Sequence, residues 1–329
     1  MITETGRRLR PNSTAVLTNH GTSHQAVVIN TNSLGCRNPE IETKTDPRVL
    51  FLGDSITFAD SVVEEETFVR RVEALSRESR LPIETINAGV GEIGLETYWH
   101  ILQETGLRVK PDLVVIGLYL NDFQSSRVMP LFQPPAMLQW SWTVNYLSHI
   151  FSKRFADFTQ DSEQWDDHMP RIPPETLNEW KHNIDCCFEN LEPTGGFSLD
   201  FQELVKAHIH DWGGAWSQGA WDKMSVILSN MKERLDEENI GMATVIFPVR
   251  SQVENEAVLN FPQRQALGIA QKLGIPILDV MPILRQEWRE SGAQLFFDHC
   301  HYTSHGHKIL SQVIVKFVQN ILVQHSTKS

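Results

Sequence analysis

Cysteine is scarce in this chain of 329 residues: there are four, Cys36, Cys186, Cys187 and Cys300, two of them adjacent and none at the spacing of a metal motif. That pattern argues against both a disulfide framework and a cysteine-based zinc site. Long apolar runs are missing as well. No stretch could span a bilayer, and residues 1 to 30 lack the apolar core of a secretory signal, so a soluble chain in the cytoplasm is expected. Positive charge is also short, with 29 Lys and Arg against 41 Asp and Glu for a net charge of -12. No basic cluster is long enough to track phosphates, so nucleic acid is not an expected partner, and the acidity bears mainly on solubility. What the chain does have is core-forming material, 41% hydrophobic against 21% charged residues. That suffices for one large α/β domain, or for a core domain with an insertion.

Residues 1 to 47 are polar and broken by Pro, Gly and Asn, with one strand-like stretch around Gln25 to Asn30, and read as an irregular arm with room for a hairpin. From Arg48 short apolar runs alternate with helical patterns. Strands are expected at 48–52, 83–87 and 113–119, with helices at about 65–79 and 95–106. The pattern lapses between Phe123 and Ile240. It returns with a strand at 242–249, a helix at about 262–273, a strand at 276–280 and a last helix at about 304–324. The alternation predicts an α/β fold with a parallel sheet of five strands. The domain reading is an arm at 1–47, a core at 48–122 and 242–329, and a helical insertion or cap at 123–241. Helical segments near 175–192, 198–210 and 215–239 fall in that insertion, as do Trp140, Trp142, Trp165, Trp180, Trp212, Trp216 and Trp221. Those tryptophans fit either the cap's own core or a wall for sugar rings or acyl chains.

The run RVLFLGDSITF at 48–58 drives a buried strand into a tight turn that delivers one hydroxyl, Ser55. In an open α/β sheet the carboxyl ends of strands are where chemistry is placed. A plain N-cap role for Ser55 is the competing reading, since Asp-Ser-x-Thr is common turn chemistry. Near the other end, FFDHCHYTSHGHKIL at 296–310 gathers an aspartate and four histidines. Asp298 and His301 can form a base pair in which the carboxylate fixes the imidazole tautomer and the other ring nitrogen takes a proton from a serine. The alternatives are a metal set from Asp298, His299, His301, His305 and His307, or a structural cluster. Once the segment turns helical after Tyr302, His305 and His307 cannot share a face at a separation of two. Asn121 follows the third strand and so lies at the edge of the sheet where Ser55 lies. Its amide could donate to an oxyanion, together with the Ser55 N–H and a backbone N–H from the glycine-rich loop NAGVGEIG at 87–94.

That loop also contains GVGEIG, the G-x-G-x-x-G string of a dinucleotide site, between a predicted strand and a predicted helix. The acidic residue that should end the following strand is missing, because that strand ends in Leu120 and Asn121 with Asp122 too far along. The string also follows the second core strand and not the first. A nicotinamide-dependent enzyme is therefore the rival reading, and the expectation is no cofactor and no metal.

Taken in order, GDSI at 53–56, NAGVGEIG at 87–94, LNDF at 120–123 and DHCH at 298–301 resemble the four blocks of the SGNH (GDSL-type) hydrolases. The resemblance covers roughly residues 48–122 and 242–320 and leaves the arm and the insertion out. It implies a flavodoxin-like three-layer α/β/α sandwich with five parallel strands. It also implies Ser55 as nucleophile, His301 as general base, Asp298 as its orienting partner and Asn121 as an oxyanion donor. An alignment on Asn87 puts Glu92 where the family has its oxyanion glycine, with Gly91 just before it, and Tyr119 where a glycine often precedes the asparagine by two. The expected function is a serine esterase that removes a small acyl group, such as acetyl, from a small molecule or carbohydrate through an acyl-serine. An O-acyltransferase with the same triad and a binding protein without turnover are the alternatives.

Overall fold

The computed structural model describes residues 2–3, 5–79, 81–123, 202, 204–206, 208–209, 211–254 and 260–326. The helical segment expected near 175–192, together with Trp140, Trp142, Trp165 and Trp180, lies outside the described residues. Nine strands are found among those described. In the arm, β1 (Ile2–Thr3) pairs antiparallel with β2 (Gly6–Arg7), and β3 (Ser13–Leu17) pairs antiparallel with β4 (Val27–Thr31) as the hairpin for which the sequence left room. The other five, β5 (Arg48–Leu52), β6 (Glu84–Asn87), β7 (Leu113–Leu118), β8 (Gly241–Ile246) and β9 (Ile277–Asp279), form one sheet in the order β6-β5-β7-β8-β9. Every pairing in it is parallel. The three central strands are buried along their whole length, which is why they read as continuous apolar runs without alternation.

Helices cover the sheet on both faces, giving the α/β sandwich. On one face α2 (Phe68–Arg77) packs against the long C-terminal helix α8 (Ser304–Ser326). Thr67 caps α2 by accepting a hydrogen bond from the Arg70 N–H at 3.2 Å, so the expected start at 65 is a 3₁₀ turn, Glu64–Glu66, ahead of the helix proper. On the other face α3 (Leu95–Glu104), α4 (Gln218–Glu237) and α6 (Phe261–Leu273) lie side by side. The segment 215–239, assigned from sequence to the insertion, is in this respect different from the expectation. Ala220, Trp221, Met224, Leu228, Met231 and Leu235 make one buried stripe that faces α3, α6 and β8, so α4 is the crossover helix that a parallel pair β7–β8 requires. Trp212, Trp216 and Trp221 belong to the same core, with the rings of Trp212 and Trp216 edge to face at 5.7 Å and the Trp221 Nε1–H donating to the Ala215 carbonyl at 2.7 Å. These three are core residues and build no wall for a ligand.

Two helices were not expected: α5 (Arg250–Glu254) and α7 (Met281–Ser291). The second buries only Met281 and Leu284, too few apolar positions to show a period. Its boundaries are written in Pro282 in the first turn and Gly292, whose φ of 63° closes the end.

The arm is tied to the sheet by Arg37 and Asn38, which run along the edge strand β6. The Arg37 N–H donates to the Asn87 carbonyl at 3.0 Å and the Asn38 amide donates to the Thr85 carbonyl at 2.8 Å. The Arg37 guanidinium is fully buried and donates to the carbonyls of Phe58 (2.8 Å), Ala59 (2.5 Å) and Val62 (2.7 Å). These are carbonyls at and just beyond the end of the short helix α1 (Ser55–Phe58), which have no partner within the helix. Arg37→Met keeps the apolar stem and strands these carbonyls, so it is expected to lower unfolding free energy by about 3 kcal/mol in urea titrations.

Candidate active site

The site is assembled where β5 and β7 end. Their pairing sets Leu52 opposite Ile116, so the turn after Leu52 and the turn after Leu118 emerge at one edge of the sheet. Gly53 has to be glycine, because a Cβ there would come within 2.0 Å of the Thr57 Oγ1. Asp54 is the N-cap of α1: its carboxylate accepts from the Ile56 N–H at 2.9 Å. Ser55 is therefore not the cap, and its hydroxyl is directed to His301 instead.

The Ser55 Oγ lies 2.9 Å from the His301 Nε2, and the His301 Nδ1 lies 2.6 Å from the Asp298 Oδ2. The second Asp298 oxygen accepts from the N–H groups of Cys300 and His301, both at 2.8 Å, so the segment folds around its own carboxylate. Burial works to raise the Asp298 carboxyl, but the His301 hydrogen bond and charge, with those two N–H groups, outweigh it and hold it well below the usual carboxylate range. His301 is its counterpart. Burial favours the neutral ring, yet the hydrogen bond and charge of Asp298, with Asp54 and Asp60 beyond it, raise the imidazole above its ordinary value. Asp54 and Asp122 behave in the opposite way to Asp298. Burial pushes Asp54 up to about 6, and it pushes Asp122 well up with help from the Asp54 charge. The Asp122 carboxyl is held by the Tyr98 hydroxyl at 2.6 Å and the Tyr119 N–H at 2.8 Å.

The loop after β6 closes the site. Asn87 accepts from the Gly89 N–H at 3.0 Å and donates to the Thr57 carbonyl at 2.8 Å. Gly89 presses on α1 so closely that a Cβ would stand 2.3 Å from the Phe58 nitrogen, whereas Gly91 has open space around it. Glu92 is in the left-handed region at φ 59°, a conformation that glycine adopts at no steric cost. Its carboxylate is paired with the Arg7 Nη1 of the arm at 2.6 Å. Gly91 and Glu92 line a cavity together with Ser55 and His301. The helix after the string begins only at Leu95, and both Asp122 oxygens are already bonded, so nothing here forms a dinucleotide cradle.

Asn121 faces the site and shares a cavity of about 200 Å³ with Ser55, Tyr119, Glu92 and His301. Its amide donates to the Asp211 Oδ1 at 2.8 Å, and the other Asp211 oxygen faces the His299 Nε2 at 3.6 Å. Asp211 was not singled out from the sequence, since an isolated acid ahead of WGGAW carries no pattern. Of the other histidines, His305 pairs with Glu287 at 2.8 Å. His307 is stacked on Phe68, accepts from its N–H at 3.3 Å, and is pushed down to about 3 by burial. The five residues of the alternative metal set do not converge, since His305 and His307 are held by Glu287 and Phe68. Among the described residues Asp298, Cys300 and His301 do cluster. Two of them are bonded to each other, and burial drives the Cys300 thiol well up and so keeps it protonated, which suits a hydrogen-bonded pair better than an ion.

In sequence, no family model matches the chain and no curated protein matches it. In structure it is similar to a protein of Desulfitobacterium hafniense DCB-2 described as lipolytic and of the G-D-S-L family, at 11% identity and a TM-score of 0.43 over 83% of this chain and 99% of that one. It is similar to Axe2, an acetylxylan esterase from Geobacillus stearothermophilus, at 14% identity and a TM-score of 0.45 over 84% and 96%. A third is the acetyl xylan esterase AlAXEase, at 12% identity and a TM-score of 0.42 over 81% and 97%. At these identities the reading of activity rests on the site's own geometry.

His301 can accept a proton only when neutral, and its titration lies above the ordinary 6.5. The rate of Ser55 modification by a fluorophosphonate is therefore expected to rise with pH through a midpoint above 6.5, and Asp298→Asn should move that midpoint down while slowing the reaction about 10⁴-fold. At Glu92 the left-handed backbone costs about 1 kcal/mol, and the exposed pair with Arg7 returns no more than about that. Glu92→Gly is thus expected to change stability by less than about 1 kcal/mol and leave the modification rate within a few-fold, whereas Glu92→Val should lower both.

Proposed function

We propose that this protein is a serine esterase acting on a short acyl ester, acetyl in the first instance, borne by a carbohydrate or similar small polyol. The observation that carries the reading is the unbroken chain from the Ser55 Oγ through His301 to Asp298, at 2.9 and 2.6 Å. A serine hydroxyl is a weak nucleophile at neutral pH, and a neutral imidazole within hydrogen-bond reach is what activates it. Ser55 attacks the ester carbonyl as the His301 Nε2 takes its proton. Asp298 holds the Nδ1–H and stabilises the imidazolium that forms.

The carbonyl oxygen becomes an oxyanion, and the donors for it are the N–H of Ser55, a backbone N–H of the Gly91–Glu92 turn and the Asn121 amide. Ser55 opens α1, so its N–H has no acceptor within the helix. The Asn121 amide gives one N–H to Asp211 and retains the second. Collapse of the intermediate breaks the ester C–O bond, and His301 returns its proton to the leaving alcohol. Water then enters, gives a proton to His301, and releases the acid from Ser55 by the same steps. A 200 Å³ cavity on the Asn121 side suits an acyl group of few atoms.

Mass spectrometry after a fluorophosphonate is expected to find one adduct, on Ser55, and Ser55→Ala should lose both the adduct and p-nitrophenyl acetate hydrolysis, by about 10⁴-fold or more. Asn121→Ala should lower kcat about 10²-fold with little change in KM. A folded protein that takes up no probe and hydrolyses no ester would overturn the reading, and faster release of acyl groups to added sugars than to water would turn it into an O-acyltransferase.

A further inference from the structure

Two cavities meet at Ser55 and His301, and they differ in charge. The smaller, on the Asn121 side, carries Asp54, Glu92 and Asp211 in its wall. The larger, about 510 Å³, is walled by the arm: Arg7, Arg8, Arg10 and His20 line it from two stretches of the chain, facing Phe58, Asp60 and Glu92, the last shared with the smaller cavity. Three arginines on one wall stand out in a chain with a net charge of -12. Two of the arginines and the histidine already face carboxylates. Arg7 is paired with Glu92 at 2.6 Å, Arg8 with Glu104 at 2.9 Å, and His20 stands 3.6 Å from Asp60.

Arg10 is different. It is exposed, it lines the cavity, and among the described residues no carboxylate lies within ion-pair distance of it. A guanidinium is a planar fork matched to carboxylate and phosphate oxygens, and one left uncompensated beside a reactive serine is a ready site for an anion. If the Asn121 side takes the carbonyl and the acyl group, the alcohol has to occupy the other cavity, where His301 can hand it a proton. An anionic acyl group would meet three carboxyl-bearing residues in the small cavity, so the negative group belongs on the alcohol.

We propose that the larger cavity is an alcohol-binding subsite for an ester whose alcohol part carries a carboxylate or a phosphate, with Arg10 as the group that selects it; this rests on the esterase reading above. The protein hydrolyses such an ester by the steps already given, and Arg10 takes no part in bond making. Its contribution is to hold the alcohol against His301.

The test compares three acetyl esters, O-acetylglucose, O-acetylglucuronate and O-acetylglucose 6-phosphate. The expected result is a kcat/KM at least tenfold higher for one or both anionic esters than for the neutral one, falling as salt is raised. Arg10→Ala should reduce that ratio about tenfold, chiefly through KM, while Lys316→Ala, which removes one exposed positive charge from the C-terminal helix, should leave it as it was. Preference for the uronate or for the phosphate identifies the anion. Equal rates on all three esters, or a preference untouched by Arg10→Ala, would overturn the anion subsite and leave the esterase reading standing. Absence of hydrolysis of all three, with no probe on Ser55, would overturn the esterase reading itself.

Discussion

The arrangement around Ser55 depends on how closely three backbones approach one short helix. Gly53, Gly89 and Gly117 all lie against Thr57 and Phe58, and a Cβ on any of them would fall within 2.6 Å of an atom of those residues. Close packing of this kind leaves no room for adjustment, so the direction of the Ser55 hydroxyl is set by main chain and not by a flexible side chain. Main-chain groups freed by so tight a turn find partners on several sides. Asp54 takes the N–H of Ile56, Asn87 reaches the Thr57 carbonyl, and Arg37 takes the carbonyls at the other end. The short helix that begins at Ser55 is thus held by the sheet, by the glycine loop and by the arm at once.

Environment, not residue type, divides the labour among the aspartates. Asp54 and Asp298 both lie close to His301, yet burial with few donors pushes the first up while N–H groups and an imidazole hold the second down. The second, whose surroundings favour the anion, is the one bonded to the ring. The first serves the backbone as a cap.

Most of the central fold could be read from the chain because its physics is local. Buried strands such as Arg48–Leu52 and Leu113–Leu118 are written as continuous apolar runs, and their ends follow from glycine and asparagine. Ser55, His301 and Asp298 stood out because two motif-dense segments fall after predicted strands or before a helix. What could not be read is what depends on distant partners. The stripe of Gln218–Glu237 shows a helix but not which surface covers it, and so it was assigned to an insertion when it packs on the sheet. Arg37 looks like any arginine in a polar arm until three carbonyls are seen around it. Glu92 and Arg7 are 85 positions apart in the numbering, and no local pattern joins them.

The crossover from β7 to β8 leaves the sheet at Tyr119–Asp122 and comes back at Asp211–Trp216, and these two stretches are joined by the Asn121–Asp211 hydrogen bond. The two ends of the long connection between β7 and β8 are thus held together in one wall of the cavity that Ser55 and His301 line. A change at either clasp residue is thereby felt at the other, so this wall beside Ser55 answers to two places in the chain that lie 90 positions apart.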